Sequence, residues 1–420
     1  MSIAVKNTSA LKVIVIGGGP SGMMAAISAA KAGAEVLLLE RNHRCGEKLL
    51  ITGGGRCNIT NNETDDRKLL LKYKDAKEFL FSAFAQFNVR DTIDFFAALG
   101  LEFKEEAGGR MFPATESARS VLEALLHAME AEHIKIRNDA RVTELLTDGH
   151  TVTGAVLEDG TTISGDRFII ATGGTSRPET GSSGDGFIWL KSLGHTIHAP
   201  NPSLVPVRTL ERWTHALLGF AHPEAKVSLL RDGKVATKRT GRILFTHFGL
   251  SGPLILNMSK EIWMMQKEDP IIIEIDLFPK LDEGALDREF QSKLAPSQNR
   301  MLKNALSEIL EPRLAEAVIG KLKLDPAMKV HQLKKEDRKR VVNLLKHIRL
   351  TPTGLLGADK AIVTSGGLPL KEVDTRSMRS DRYANLYVTG DVLDIDRPSG
   401  GYSLQLCWTT GHVAGTAAAT

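Results

Sequence analysis

A glycine-rich turn near the start of the chain has the spacing of a phosphate-binding loop, because the glycines at positions 17, 19 and 22 follow the pattern G-x-G-x-x-G. The first glycine permits a tight turn, the second lets the backbone approach a pyrophosphate, and the third lets a helix pack closely on a strand. A helix that begins here offers free N–H groups and a partial positive charge to phosphates. The residues of this turn are Gly17, Gly18, Gly19, Pro20, Ser21 and Gly22.

The segments around the turn predict a β-α-β unit. Residues 11–16 form a β-branched apolar run typical of a buried parallel strand, residues 23–32 predict a helix, and residues 34–39 predict a second strand. Glu40 follows that strand, where it can accept hydrogen bonds from the hydroxyl pair of a ribose. An acid at this point argues against a 2′-phosphate on that ribose. The order of these features predicts a dinucleotide site.

Two later segments return to the same fold, and they favour FAD over NAD, since a domain for NAD alone is usually completed in one block. An apolar strand at 168–170 runs into a Thr-Gly-Gly turn, and another at 386–388 ends in Gly390 and Asp391. The second return places a carboxylate at the carboxyl end of a strand, where α/β sheets bind ligands. Residues 399–405 then open the last helix of the chain.

The composition describes a globular protein of two or three domains, with 420 residues, 42% of them hydrophobic and 25% charged. The net charge of +4 is too mild to indicate nucleic acid by itself. The three cysteines form no CxxC pair, and no histidine near them has metal-ligand spacing, so we expect no disulfide framework and no metal site. This usage fits a reducing cytoplasm. We also expect no signal peptide and no membrane span.

The middle of the chain predicts an insertion into the nucleotide fold. The expected fold class is α/β, with a Rossmann-like FAD-binding domain on a parallel sheet, interrupted by a β-rich, barrel-like domain and a small helical domain. Such an insertion usually covers the cofactor and supplies a wall of the substrate pocket. The predicted segments are 1–194 for the first part of the FAD-binding domain, 195–282 for the β-rich domain, 283–349 for the helical subdomain and 350–420 for the C-terminal part. Individual expectations are a strand at 134–142, a hairpin at 151–163, strands at 225–230 and 271–277, and helices at 302–310, 313–322 and 335–348.

At this point the chain resembles a known family. The element Gly53-Gly54-Gly55-Arg56-Cys57-Asn58 within residues 50–61, with residues 244–253 and 390–394, is similar to the bacterial BaiN/YhiN-like family of NAD(P)/FAD-dependent oxidoreductases, which are aminoacetone-oxidase-like, two-dinucleotide-fold flavoproteins. The resemblance covers nearly the whole chain. The chain departs from the family pattern twice: Asp391 stands where a glutamate is frequent, and Arg397 stands where a glycine is more usual.

The resemblance implies a role for each matching residue. The glycine turn would hold the pyrophosphate, Glu40 the adenosine ribose, and the backbone of Val142 the adenine. Lys48 and the loop from Thr52 to Asn58 would run along the ribityl chain and the flavin ring, and Asp391 would bond a ribityl hydroxyl. The helix that opens at Gly401 would aim its positive end at the flavin's pyrimidine edge. Besides the turn residues, the implied cofactor ligands are Glu40, Arg41, Lys48, Thr52, Gly54, Arg56, Cys57, Asn58, Val142, Ala171, Thr172, Gly173, Gly174, Gly390, Asp391, Gly401, Tyr402 and Gln405.

Three residues are candidates for catalysis, and each also has a simpler interpretation. Arg56 could clamp a phosphate or a substrate, or form a surface ion pair. His247 follows a strand in a loop with glycine and serine, but a lone histidine is more often structural. Tyr402 could contact the flavin or fill a domain interface. Cys57 suggests redox chemistry, but it has no partner cysteine in the sequence, and free cysteines are usually small buried hydrophobes.

Three hypotheses for function remain open. The first is an FAD-dependent oxidoreductase that transfers hydride between NAD(P)H and an organic substrate; NAD(P)H would bind transiently, because no second glycine turn lies between a strand and a helix. The second is a flavoenzyme that reduces a uridine in ribosomal RNA, as some relatives of the family do. Residues 321–349 carry ten Lys/Arg against three Asp/Glu, which a solvated helix face also explains, and no aromatic residue for base stacking. The third is a flavin-binding sensor without turnover. The oligomeric state stays open.

Overall fold

The computed structural model describes residues 10–357, 361 and 363–420, and it divides into two compact units at 202/203 and 360/361. The first unit contains both ends of the chain, and the second is contiguous. Each is considered by itself below.

The strands alternate with helices in the first unit and cluster in the second. The strands are β1 (Lys12–Ile16), β2 (Glu35–Leu39), β3 (Thr60–Asn61), β4 (Phe103–Glu106), β5 (Arg110–Pro113), β6 (Lys135–Arg137), β7 (Val142–Asp148), β8 (Thr151–Leu157), β9 (Thr162–Ser164), β10 (Arg167–Ile170), β11 (His198–Ser203), β12 (Val207–Thr209), β13 (Ala221–Arg231), β14 (Lys234–Thr246), β15 (Gly249–Ser251), β16 (Ile271–Asp276), β17 (Ile348–Leu350), β18 (Pro352–Leu355), β19 (Val363–Gly367) and β20 (Leu386–Val388).

The helices are α1 (Pro20–Lys31), α2 (Glu47–Ile51), α3 (Asp66–Leu70), α4 (Lys77–Gln86), α5 (Val89–Ala98), α6 (Ala118–Ala131), α7 (Asp185–Ser192), α8 (Pro253–Glu268), α9 (Glu283–Leu294), α10 (Leu302–Ile309), α11 (Pro312–Leu322), α12 (Lys335–Lys346) and α13 (Tyr402–Ala418). Short 3-10 turns include Thr52–Gly54, Leu370–Glu372 and Gly390–Val392. None of the helices in the described ranges is both long and apolar enough to cross a membrane.

A five-stranded parallel sheet forms the centre of the first unit, in the order β20-β10-β1-β2-β6. Ile16, the last residue of β1, is in register with Leu39 on one side and Ile170 on the other, and Ile170 is in register with Val388. Because all five strands run the same way, the segments after β1, β2, β10 and β20 meet at one edge. The β-α-β unit and both predicted returns are therefore confirmed, as is the α/β fold class.

The last helix of the chain packs on the first. A Cβ atom at Gly411 would meet the backbone oxygen of Ser21 at 2.5 Å, and one at Gly415 would overlap the backbone of Ala25. Small residues on α13 thus let its backbone lie directly against α1. This packing fixes the N-terminal ends of both helices within the same unit.

One predicted strand is wrong in extent. The sequence predicts a single strand over 134–142, but β6 ends at Arg137 and Val142 is the first residue of β7. Between them Asp139 adopts a φ of +53°, and the backbone N–H of Ala140 donates to the carbonyl of Glu40 at 2.8 Å. The chain turns there, and β7 joins β8 and β9 in a separate antiparallel sheet. The hairpin predicted over 151–163 is confirmed as β8 and β9.

The second unit combines a sheet and helices around one core. Its antiparallel sheet has the order β17-β16-β13-β14-β15-β12-β18, and buried side chains of that sheet share one apolar cluster with those of α9 to α12. The helical segment 283–349 therefore does not pack as a separate subdomain. Strand β18 pairs with β12, so residues 352–355 belong to this unit rather than to the C-terminal part of the nucleotide fold. Helix α8 lies within the segment predicted to be β-rich.

Candidate functional site

The glycine turn after β1 has the geometry that its spacing predicts. Gly17 has a φ of +110°, and a Cβ there would lie 2.6 Å from the carbonyl oxygen of Ala171. A Cβ at Gly22 would overlap the carbonyl oxygen of Gly17, so glycine is what lets α1 approach β1. At Gly19 a Cβ would meet no atom within 4 Å, and Gly19 caps α1 without a side-chain hydrogen bond. The turn therefore presents open backbone at Gly19, at the N-terminus of a helix that has no side-chain cap.

Glu40 is buried directly beside this turn. Its carboxylate accepts hydrogen bonds from the backbone N–H of Gly18 at 2.7 Å and of Asn42 at 2.8 Å. Burial raises the pKa of Glu40, while those two N–H groups act in the opposite direction. A Cβ at Gly18 would lie 2.9 Å from the Glu40 carboxylate, so the two residues are in close contact. This arrangement fixes an acceptor at the end of β2, as a ribose site requires.

Arg41 lies next to Glu40 but is held by the protein. Its Nη1 donates to Ser183 Oγ at 2.6 Å and forms an ion pair with Asp185 at 3.1 Å. In this structure Arg41 therefore connects the end of β2 to the start of α7. Its role as a cofactor ligand stays a prediction.

The turn after β10 is packed tightly and leaves one polar atom unpaired. A Cβ at Gly174 would overlap the side chain of Thr364, whose hydroxyl accepts from the backbone N–H of Thr175 at 2.7 Å and of Ser176 at 3.1 Å. Thr172 Oγ1 is buried and has no hydrogen-bond partner among the described residues. Thr364 is a support of this turn that the sequence did not reveal, since a lone threonine in β19 carries no recognisable pattern.

The turn after β20 contains a group of charges. Asp391 is paired with Arg397, whose side chain is almost wholly buried. Lys48, on α2, donates to the carbonyl of Ser176 at 2.8 Å. Burial lowers the pKa of Lys48, and the nearby charge of Asp391 opposes that shift. The structure thus brings the predicted ligands Lys48 and Asp391 together.

The loop from Thr52 to Asn58 is exposed along its glycines and buried at its end. Gly53, Gly54 and Gly55 have φ values of +57°, +71° and +87°, a run that other residues rarely adopt. Cys57 is fully buried, and burial raises its pKa to about 12, so its thiol stays protonated. This argues against a redox role for Cys57. Asn58 Oδ1 is buried with no hydrogen-bond partner in the described chain.

Arg56 lies in this loop with an acidic partner. Its Nη1 forms an ion pair with Glu106 at 2.7 Å, and its guanidinium lies 4.2 Å from the centre of the Phe112 ring. The side chain remains one-third exposed. Of the three interpretations of Arg56, the structure shows the ion pair. A substrate would have to compete with Glu106 for the guanidinium.

The start of α13 supplies a second helix N-terminus without a side-chain cap. Gly401 has a φ of +104°, and a Cβ there would overlap the backbone of Thr60. Tyr402 is buried, and its carbonyl accepts from the hydroxyl of Tyr73 at 2.9 Å. Burial raises the pKa of Tyr402, which keeps its phenol protonated.

Two predicted ligands have other surroundings. The amide of Gln405 is buried; its Oε1 accepts from Thr60 at 2.6 Å, and its Nε2 donates to Thr92 at 2.8 Å and Thr409 at 3.0 Å. That side chain links α13 to neighbouring segments, and the role of Gln405 as a cofactor ligand stays a prediction. Val142 is buried at the start of β7, in backbone pairing with Leu157.

His247 belongs to the second unit. It is exposed in the turn between β14 and β15, and its ring contacts that of Phe248 edge-on. Its predicted catalytic role stays a prediction.

These observations fit FAD. One sheet edge presents an open glycine turn with an uncapped helix, a buried acid for a ribose, a carboxylate after β20 and a second uncapped helix. In the described part of the first unit, two buried side-chain oxygens have no hydrogen-bond partner, Asn58 Oδ1 and Thr172 Oγ1, and both lie on loops expected to contact the cofactor. Unpaired buried polar atoms are costly, so their presence in such loops indicates a missing ligand partner.

Comparisons with known proteins support this interpretation. A 3-dehydro-bile acid delta(4,6)-reductase from Clostridium scindens is 32% identical over 413 residues, which cover 97% of this chain and 99% of the relative. A ribosomal RNA dihydrouridine synthase from Escherichia coli is 31% identical over 403 residues, which cover 94% and 95%. The structure of a 3-ketosteroid delta1-dehydrogenase from Sterolibacterium denitrificans shares the fold, with a TM-score of 0.53 at 13% identity, covering 97% of this chain and 99% of that one.

The family itself is established by a match over almost the whole chain. The model of the HI0933-like protein Rossmann domain matches residues 11–417. The resemblance inferred from the Gly-Gly-Gly-Arg-Cys-Asn element is thereby confirmed, and so is the expectation of an enzyme. The chain belongs to the HI0933-like Rossmann family, and it is an FAD-dependent oxidoreductase.

Proposed function

We propose that this enzyme reduces a carbon–carbon double bond conjugated to a carbonyl group in an organic substrate, with NAD(P)H as the electron donor. The flavin part of the proposal rests on the convergence of the turns after β1, β10 and β20 with the start of α13 in one unit. This arrangement suits a flavin held at its pyrophosphate, its ribityl chain and its ring.

The residues of the first unit have separate tasks in this proposal. Gly17 to Gly22 bind the pyrophosphate, and Glu40 accepts hydrogen bonds from the ribose hydroxyls. Asp391 orients the ribityl chain. The N-terminus of α13 stabilises negative charge at the ring's pyrimidine edge. When bound, FAD supplies hydride transfer, which no protein side chain can perform.

The substrate class rests on the relatives. The bile acid delta(4,6)-reductase and the dihydrouridine synthase have names that denote hydrogenation of a ring double bond. In a 3-keto steroid and in a uracil ring, that bond is polarised by a carbonyl. An enzyme that is 31–32% identical to both over nearly its whole length is therefore proposed to act on the same kind of bond.

NAD(P)H has no separate nucleotide fold in this proposal. The sequence contains one glycine turn between a strand and a helix, and the FAD site uses it. We therefore expect NAD(P)H to bind transiently, reduce the cofactor and leave before the substrate enters. A ping-pong pattern of steady-state kinetics follows from this order.

Ribosomal RNA is the second candidate substrate, favoured by the relative's name and by the basic segment 321–349. Part of that segment's charge is neutralised within the protein. Arg338 pairs with Asp287, and Lys346 is buried against Asp276. Arg340 and Arg349 also hold acidic partners, so four of the ten basic side chains are engaged in ion pairs. This lowers the charge available to phosphates and favours the small-molecule substrate.

Anaerobic stopped-flow absorbance tests the proposal. NADH or NADPH should bleach the oxidised-flavin bands, and a small cyclic enone should restore them at a rate that rises with its concentration. If neither NADH nor NADPH bleached the bands, NAD(P)H would be excluded as the electron donor. If no enone restored them, the proposed substrate class would be wrong.

The same experiment with ribosomal RNA separates the two substrates. Reoxidation by RNA but not by enones would overturn the proposal. In that case Lys335→Ala/Lys339→Ala, on the exposed face of α12, should weaken RNA binding and reduce its salt dependence. The matched control is Lys72→Ala/Lys77→Ala, which removes two exposed lysines from the first unit.

A further inference from the structure

Arg397 is a buried arginine whose donors are directed at three different parts of the first unit. Its Nη2 pairs with Asp391 Oδ1, at the turn after β20. Its Nη1 donates to the carbonyl of Ile395 at 2.8 Å, and its Nε donates to Ser403 Oγ at 3.0 Å, in the first turn of α13. The side chain is 1% exposed, so the guanidinium is removed from water.

Such burial has a cost that only specific partners offset. A buried charge is tolerated when it is paired and its remaining donors are satisfied. The fork of a guanidinium can satisfy several acceptors at fixed angles, which a lysine cannot do. Arg397 therefore holds the strand end, the following loop and the helix start in one fixed arrangement.

The two departures from the family pattern are in contact with each other. Asp391 is one methylene shorter than glutamate, and Arg397 provides a long side chain where glycine is more usual. The structure shows that the guanidinium reaches the shorter acid. The sequence alone does not reveal this contact, because five residues separate the two positions.

The pair leaves the acid available to a ligand. Arg397 binds Oδ1 of Asp391, and the Asp391 side chain keeps 14% of its surface exposed. Lys48 lies near enough for both residues to influence its pKa, Asp391 raising it and Arg397 lowering it. Glu179 also raises the pKa of Lys48, so two carboxylates and one guanidinium act on this ammonium group.

We infer that Arg397 is a positioning residue for FAD: it fixes the orientation of Asp391 toward the cofactor and adds positive charge beside it. The inference rests on the FAD site and is independent of the proposed substrate. Loss of Arg397 frees the Asp391 carboxylate to rotate and removes a charge that stabilises the reduced cofactor, which is more negative than the oxidised one.

A double-mutant cycle tests this coupling. The variants are Arg397→Gln, Asp391→Asn and the two combined, each assayed for FAD dissociation, for midpoint potential and for the melting temperature of the apoprotein. Each single variant should weaken FAD binding by about tenfold or more, the scale of one hydrogen bond to a charged group. The double variant should bind FAD no more weakly than the poorer single variant, because Arg397 acts on the cofactor through Asp391.

The potentials provide a readout that a purely structural role would not produce. Arg397→Gln should shift the midpoint potential to more negative values and Asp391→Asn to more positive values, and the double variant should return close to the wild type. Arg338→Gln is the matched control, because it breaks an Arg–Asp pair in the second unit. It should lower the melting temperature and leave FAD affinity unchanged.

Three outcomes would overturn the inference. Arg397→Gln could bind FAD as the wild type does, the two losses of affinity could add in the double variant, or both single variants could shift the potential in the same direction. If Arg397→Gln does not fold, Arg397→Lys keeps the charge without the fork. It should retain the wild-type potential and bind FAD more weakly, and wild-type affinity would contradict the positioning role.

Discussion

Replacing Glu372 with glutamine should remove a defined part of the protein's acid sensitivity. Glu372 Oε2 accepts from His195 Nδ1 at 2.8 Å, and His195 Nε2 lies 2.9 Å from Ser380 Oγ. That hydroxyl already accepts from the backbone N–H groups of Arg382 and Tyr383, both at 3.1 Å, so its hydrogen is donated to His195. The imidazole is therefore neutral, in agreement with its pKa, which burial lowers.

The carboxylate of Glu372 is stabilised in this network. Burial opposes its ionisation, but hydrogen bonds from Thr196 and His195 together lower its pKa from 4.5 to about 2. A carboxyl group whose pKa is lowered in the folded protein stabilises the folded state above pH 4.5. That stabilisation is lost as the pH falls toward 2. At neutral pH the lowered pKa of Glu372 contributes about 3 kcal/mol to the unfolding free energy, of which about 0.8 kcal/mol is lost by pH 4 and about 2 kcal/mol by pH 3.

Urea unfolding between pH 7 and pH 3, with saturating FAD, measures this contribution through the flavin fluorescence released by the first unit. The difference in unfolding free energy between wild type and Glu372→Gln should shrink along the curve given above. Glu158→Gln is the control, because that carboxylate is 65% exposed in its ion pair with Arg141. A difference that stays constant within about 0.3 kcal/mol from pH 7 to pH 3 would refute the reasoning.

Three further predictions concern packing, thiols and a buried lysine. Gly22→Ala should prevent folding of the first unit, because its methyl group overlaps Gly17, whereas Gly19→Ala should fold with weaker FAD binding, as flavin content and melting temperature will show. All three cysteines have pKa values raised to about 12 by burial, so a thiol reagent at pH 8 should label none in the native protein and three after unfolding; rapid native labelling would contradict this. Lys346→Met leaves the buried Asp276 with a weaker partner, and should lower the unfolding free energy of the second unit by about 3 kcal/mol in urea titrations; an unchanged midpoint would contradict this.

The sequence was most informative where each segment determined its own structure. The run at 11–16, the glycine turn and the run at 34–39 are local patterns, and β1, α1 and β2 follow them closely. The terminal helix and both returns to the sheet were predicted for the same reason. Helices α10 to α12 also agree with their apolar spacing to within two residues.

The errors occur where distant residues decide the conformation. Residues 138–141 leave the predicted strand because Ala140 bonds to Glu40, which lies 100 residues earlier. Helix α8 begins at Pro253, within the segment 195–282 that was predicted to be β-rich, and proline is favoured in the first turn of a helix. Gln405 matched a family position, and its role as a cofactor ligand stays a prediction; its amide bonds to Thr60 and Thr92, which lie more than 300 residues earlier, so no local pattern could reveal these contacts.

The order β20-β10-β1-β2-β6 has a consequence for synthesis of the protein. Strand β10 must wait for its partner β20, roughly 220 residues later, which at ordinary elongation rates takes roughly 10 to 40 seconds. During that interval the contiguous second unit can assemble around its own apolar cluster, while the first unit lacks both its edge strand and α13. A chain released before residue 386 cannot complete the sheet edge. Only chains that contain β20 and α13 therefore present the whole proposed FAD site.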